Sequence, residues 1–165
     1  MNLFFALMFA CKKQQPPEPV VEPTPQKTIS SAPSQLPPEI ISMTQNFQRV
    51  FFDTDSSTLN QEAKDALSEN ARIMLENPDI RIEIQGHADE RGTTDYNLAL
   101  GQQRATNVSQ YLVNLGVPTS RIRMTSFGEE KPLSSASSEH AWSQNRRCEF
   151  VITWSKSKQI QGSVE

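Results

Sequence analysis

Only two cysteines, Cys11 and Cys148, and two histidines, His87 and His140, occur in the 165 residues. A disulfide framework and a thiolate-built zinc site are therefore excluded. Basic charge is also scarce: 16 Lys and Arg against 19 Asp and Glu leave a net charge of −3. A protein that grips nucleic acid through phosphates needs a basic excess or stripe, and neither is visible. No apolar run is long enough to cross a membrane. The run from Leu3 to Ala10 is eight residues, about 12 Å as a helix against a hydrocarbon core of about 30 Å. No G-x-S-x-G nucleophile motif occurs either.

Proline is abundant but confined. Eight of the 11 prolines fall within residues 12–38, so that stretch cannot carry regular helix or sheet. As polyproline II its 27 residues reach at most about 84 Å, the behaviour of a tether. The apolar run before it ends at Ala10-Cys11 and is followed by Lys12-Lys13, which reads as a secretion signal of the bacterial lipoprotein type. On that reading residues 1–10 are removed and Cys11 carries acyl chains. Several such chains hold a membrane far better than one. Residues 11–44 are then the acylated cysteine and its tether, 45–154 one folded domain, and 155–165 a polar tail.

Within the folded part, Arg49–Phe52 is aromatic and β-branched and precedes the turn residues Asp53-Thr54-Asp55-Ser56-Ser57, predicting a strand and then a loop. Asn60 is the expected N-cap of a helix that buries Ala63, Ala66, Leu67, Ala71 and Met74 and stops at Asn77-Pro78. Ile80, Ile82 and Ile84 alternate with Arg81, Glu83 and Gln85, predicting a half-buried strand up to Gly86. A second helix follows from Asp95, with Leu98, Ala105, Val108, Leu112 and Leu115 on one face and Gly116 as its stop. Arg121–Phe127 predicts a third strand with Ile122, Met124 and Ser126 on one side, and Cys148–Trp154 a fourth. Ser134–Ser143 reads as irregular or a short helix. The expected fold is α/β, an α+β sandwich: a βαβαββ mixed four-stranded sheet, its last strand antiparallel, with two main helices on one face.

The densest polar constellation is Gly86-His87-Ala88-Asp89-Glu90-Arg91-Gly92-Thr93, between the second strand and second helix. Ligands of open α/β sheets bind at that edge. A metal site would draw on His87, Asp89 and Glu90, but two adjacent carboxylates need not converge and only His140 remains as a further imidazole. A hydrolase would need a nucleophile with its base or two carboxylates across a bond, and nothing specific supplies them. A small zwitterion needs less: a carboxylate for its ammonium and a guanidinium for its carboxylate. Asp89 offers the first. Arg104, about 60° from the centre of the second helix's apolar face with Leu100 one turn before it, offers the second. The residues leave two readings open, a clamp for a ligand or an internal Asp89–Arg104 salt bridge.

The loop Gly86–Thr93, then Tyr96-Asn97, Leu100-Gly101 and Arg104-Ala105, then Ser126-Phe127-Gly128-Glu129-Glu130-Lys131-Pro132 and Asn145-Arg146-Arg147, closely resemble the OmpA-like C-terminal domain family, and its wall-binding lipoproteins most of all. The resemblance covers about residues 45–154. It implies a noncatalytic domain that holds peptidoglycan at the meso-diaminopimelate of the stem peptide. Asp89 and Arg104 would be the clamp, and Asp55, Leu100 and Arg147 would border the pocket. It further implies a lipid anchor in the outer membrane, a domain in the periplasm, a TolB-like β-propeller as partner, and no cofactor, metal or nucleic acid. A wall-anchoring part of another envelope machine and an enzyme acting on peptidoglycan are the alternatives. Two positions depart from the family pattern: Thr54, where an aromatic is common, and Cys148, where a small residue is usual and a buried, inert thiol is expected.

Overall fold

The structure is a computed structural model and describes residues 46–154. The signal reading, Cys11, the tether and the polar tail lie outside the described residues. The elements are β1 (Val50–Phe51), α1 (Gln61–Glu76), β2 (Ile80–His87), α2 (Thr94–Asn114), a 3-10 turn (Thr119–Arg121), β3 (Ile122–Gly128), α3 (Glu139–Asn145) and β4 (Arg147–Trp154). The sheet order is β1-β4-β2-β3. β2 and β3 run parallel through the α2 crossover, while β4 is antiparallel to both β2 and β1. The mixed sheet expected from the sequence is therefore present.

Period-two patterning decides which face is covered. Ile80, Ile82 and Ile84 of β2 are at most 2% exposed and belong to one core with Leu67 and Met74 of α1, Val108 and Leu112 of α2, and Cys148 of β4. Both long helices thus lie on the same face of the sheet. Each fully buried Leu, Ile or Met contributes about 2 kcal/mol of hydrophobic stabilisation. Asn60 caps α1 by accepting the Ala63 N–H at 2.8 Å, and Asn77 ends it, its side chain donating back to the Ile73 carbonyl at 2.8 Å. Thr93 caps α2 by accepting the Tyr96 N–H at 3.3 Å. At its other end Gly116 takes φ +99°, and the bonds Gly116 N–H to Val113 O (2.9 Å) and Val117 N–H to Leu112 O (3.1 Å) complete a Schellman motif.

Several expected boundaries move. β1 is two residues rather than four, and β2 runs on to His87. Arg121 is not in a strand: its guanidinium donates to the carbonyls of Met74, Asn77 and Ile80, each at 2.7 Å, which holds it in the 3-10 turn and starts β3 at Ile122. Leu115 is the last residue of α2's cap and is 36% exposed, and Met124 is 42% exposed because β3 is the sheet's edge. Leu115 therefore lies outside the core that the periodicity of the second helix pointed to, whereas Ile122, expected on the same side of β3 as Met124, packs against it. The 134–143 region resolves into α3, capped by Ser138 and pinned by Asn145, whose side chain accepts the N–H groups of Leu133 and Ser134 and donates to the Ser134 carbonyl.

Candidate functional site

The C-terminal end of β2, the loop that follows it, the first turns of α2 and the loop after β1 enclose a cleft of about 270 Å³. Thr54 and Asp55 form one wall, Tyr96 and Leu100 the other, and Asp89 and Arg104 both line it. A larger depression of about 620 Å³ lies between β1 and α1, but its charges are largely spent internally: Arg49 and Glu149 pair at 3.0 Å. Convergent charge, rather than volume, marks the smaller cleft as the site.

What brings these side chains together begins with β2 and α2. Gly86 and Gly101 touch through their backbones, since a β-carbon on Gly86 would lie 1.9 Å from the Gly101 carbonyl oxygen. With the helix seated so closely, Arg104 reaches beneath the loop after β1. It is fully buried, its Nε donating to Ser56 O (2.8 Å), Nη1 to His87 O (2.8 Å) and Nη2 to Asp53 O (3.2 Å), with the guanidinium 5.0 Å above the Phe52 ring. Burial pushes its pKa down to about 10, so it stays charged at neutral pH. The sequence placed Arg104 at the border of an apolar face and partly desolvated; the structure takes it wholly out of water. Leu100 is half-buried in the wall above it.

Asp89 is 6% exposed and held by two arginines. Oδ1 accepts the Arg91 backbone N–H and Nε, each at 3.1 Å, and Oδ2 accepts Arg91 Nη2 at 2.8 Å and Arg146 Nη1 at 3.3 Å. Burial resists ionisation of Asp89, but these bonds outweigh it and hold the pKa below the ordinary carboxylate value. Neither a hydrogen bond nor a salt bridge joins Asp89 to Arg104. The internal-pair reading of these two residues therefore gives way, although each has other partners.

Asp55 has φ +54°, the only positive φ outside glycine among the described residues, which turns its side chain to accept a hydrogen bond from the Tyr96 hydroxyl across the cleft. That bond raises the Tyr96 pKa. Arg147 is placed elsewhere: it donates to Glu149 (3.0 Å), to Asn145 O (3.4 Å) and to Lys131 O (3.2 Å), and does not line the cleft. Arg146, its neighbour, is the one that meets Asp89. Arg146 is the C-cap of α3, one residue before β4 begins at Arg147, so its side chain follows the turn into the strand rather than the strand's own pleat. Neither Arg91 nor Arg146 was expected among the site residues, though both lie inside the quoted motifs.

Thr54, one of the two departures from the family pattern, lines the cleft, and its Oγ1 accepts Arg91 Nη2 at 3.3 Å. Cys148 is the expected buried thiol, with burial pushing its pKa up to about 12. His87 does not turn toward Asp89; it is 1% exposed and stacks on Phe127, with ring centroids 5.6 Å apart. Among the described residues no group of three or more His, Cys, Asp or Glu side chains could hold a metal ion.

Known proteins share this fold and much of this sequence. The chain is 47% identical over 104 residues to the peptidoglycan-associated lipoprotein of Brucella melitensis, covering 63% of this chain and 62% of that relative's length. It is 43% identical over 100 residues to the Pseudomonas aeruginosa protein of the same name. The crystal structure of the peptidoglycan-associated lipoprotein from Burkholderia pseudomallei superposes with a TM-score of 0.63 at 40% identity, over 64% of this chain and 90% of that one. The C-terminal domain of Helicobacter pylori MotB, at 22% identity and a TM-score of 0.62, shares the fold. The OmpA family pattern matches residues 51–146, which include the cleft, Asp89, Arg104 and Arg146, and the chain belongs to the OmpA family.

Proposed function

We propose that this domain binds peptidoglycan noncovalently at the meso-diaminopimelate of the stem peptide, and that the chain ties the outer membrane to the wall through a lipid on Cys11. The observation that carries the reading is one cleft holding a carboxylate, Asp89, and a guanidinium, Arg104, that do not bond to each other. The free end of diaminopimelate has an ammonium and a carboxylate on one carbon. Opposite charges at fixed separation on rigid elements are what such a group requires. Asp89 receives the ammonium, Arg104 supplies positive charge from the cleft floor, and Asp55 and Leu100 shape the walls. The activity is binding and not catalysis. Relatives named for association with peptidoglycan support the wall as target. By the same resemblance the chain works in the periplasm with a TolB-like β-propeller, as the lipoprotein of a Tol-Pal system supporting envelope integrity and division.

Sedimentation with diaminopimelate-type sacculi tests the reading. Asp89→Asn should reduce pelleting at least tenfold, while Arg123→Gln, exposed on β3 away from the cleft, should pellet like the parent. A folded Asp89→Asn protein that pellets like the parent would overturn the assignment. Palmitate labelling of cells expressing Cys11→Ser tests the anchor; undiminished label would place the lipid elsewhere.

A further inference from the structure

An ionised carboxylate has about four lone-pair positions, and in Asp89 all four are taken. Three of these bonds come from Arg91 and one from Arg146. The two arginines are not equally free to leave. Arg146 has a side chain 7% exposed and is further fixed to Phe52 O at 3.1 Å and Glu139 at 2.8 Å. Arg91 has a side chain 38% exposed, lies 4.2 Å over the Trp142 ring, and reaches Thr54 on the opposite wall. An ammonium that approaches Asp89 must therefore displace the Arg91 fork. Arg104 is already donating to three carbonyls and has no surface exposed, so the cation at the cleft's mouth is Arg91.

A displaced guanidinium needs a new anion. Glu139, 3.8 Å from Arg91 Nη1, is the internal alternative, and it is already engaged by Arg146. A ligand with a carboxylate beside its ammonium brings the anion with it. Binding then exchanges one ion pair for two: ammonium with Asp89, and Arg91 with the ligand's carboxylate. A ligand with an ammonium alone exchanges one pair for one and leaves Arg91 unsatisfied.

We infer that Arg91 is a specificity-determining residue, yielding Asp89 only to a ligand end that carries a carboxylate next to its ammonium. This rests on the stem-peptide reading above and sharpens it: diaminopimelate is admitted, and lysine at the same stem position, which has an ammonium alone, is rejected. Specificity of this kind comes from the group left unpaired by the wrong ligand as much as from contacts with the right one.

The experiment titrates the purified full chain, by calorimetry, with two synthetic tripeptides, L-Ala-γ-D-Glu-meso-diaminopimelate and L-Ala-γ-D-Glu-L-Lys. The parent should prefer the first by at least tenfold. In Arg91→Gln the diaminopimelate peptide should weaken about tenfold and the lysine peptide should tighten several-fold, bringing the ratio close to one. Arg91→Lys, which keeps a cation without the two-pronged grip, should retain a reduced preference of the same sign. A folded Arg91→Gln protein that keeps the parent's ratio, or that binds neither peptide, overturns the role of Arg91 while leaving the stem-peptide reading standing. A parent that binds neither peptide removes both.

Discussion

The Gly86 and Gly101 backbones meet with no side chain between them, and this contact sets the depth at which α2 sits on β2. A β-carbon at Gly86 would fall 1.9 Å from the Gly101 carbonyl oxygen, a backbone atom that cannot rotate aside. Gly86→Ala must push α2 off the sheet, and with it Arg104, whose three carbonyl partners lie on β2 and the loop after β1. The expected loss is about 3 kcal/mol in urea unfolding, accompanied by weaker binding to sacculi. An alanine variant with the parent's stability would mean that the helix has slack here.

Gly116 gives the contrasting case. A β-carbon there meets nothing within 4 Å, yet φ is +99°. Gly116→Ala therefore suffers only backbone strain, about 1 kcal/mol, with sacculus binding unchanged. Comparing the two variants separates loss of space from loss of conformational freedom.

These two glycines also illustrate what the sequence revealed. Gly116 was legible as a helix stop because a C-terminal glycine is a local signal, and the alternation of Ile80, Ile82 and Ile84 fixed β2's inner face for the same reason. Gly86 was read as the end of a strand because nothing local announces a contact with Gly101. The site divides likewise: Asp89, Asp55 and Leu100 line the cleft as expected, whereas the choice between Arg146 and Arg147 depends on where β4 begins. The three carbonyls that consume Arg104 come from two separate segments, which no periodicity could bring together. Leu115 failed as a core residue because exposure depends on helix length as well as on face.

His87 makes stability depend on pH. Both ring nitrogens are buried without a hydrogen-bond partner, and burial, aided by the positive charge of Arg147, lowers the pKa from 6.5 to about 4. Between these values the unfolded chain binds the proton and the folded one does not. Stability from this group is complete above pH 6.5 and is lost as pH falls toward 4, by as much as about 3 kcal/mol. His87→Leu should flatten that limb of the urea-midpoint profile and leave stability at pH 7.5 equal or higher, because no buried ring nitrogen is then unpaired. An unchanged slope in the variant would assign the acid limb to other groups.

Arg104 is both a builder of the cleft and its proposed source of positive charge, and Arg104→Lys separates the two roles. Lysine keeps the charge, but one ammonium cannot donate at once to Ser56, His87 and Asp53 in the directions a guanidinium fork allows. At least one buried carbonyl should be left without its partner, destabilising the fold by about 2 kcal/mol. The loop after β1 then loses its fastening to β2. Amide exchange at residues 53–57 should accelerate at least tenfold while the core strands β2 and β4 stay protected. If positive charge alone were what the site takes from Arg104, the lysine variant would bind sacculi like the parent despite the loosened loop. The expected result is weaker binding that tracks the exchange rate, because Asp55 and Thr54 are tied across the cleft by single side-chain bonds to Tyr96 and Arg91, while Arg104 fastens their loop from below.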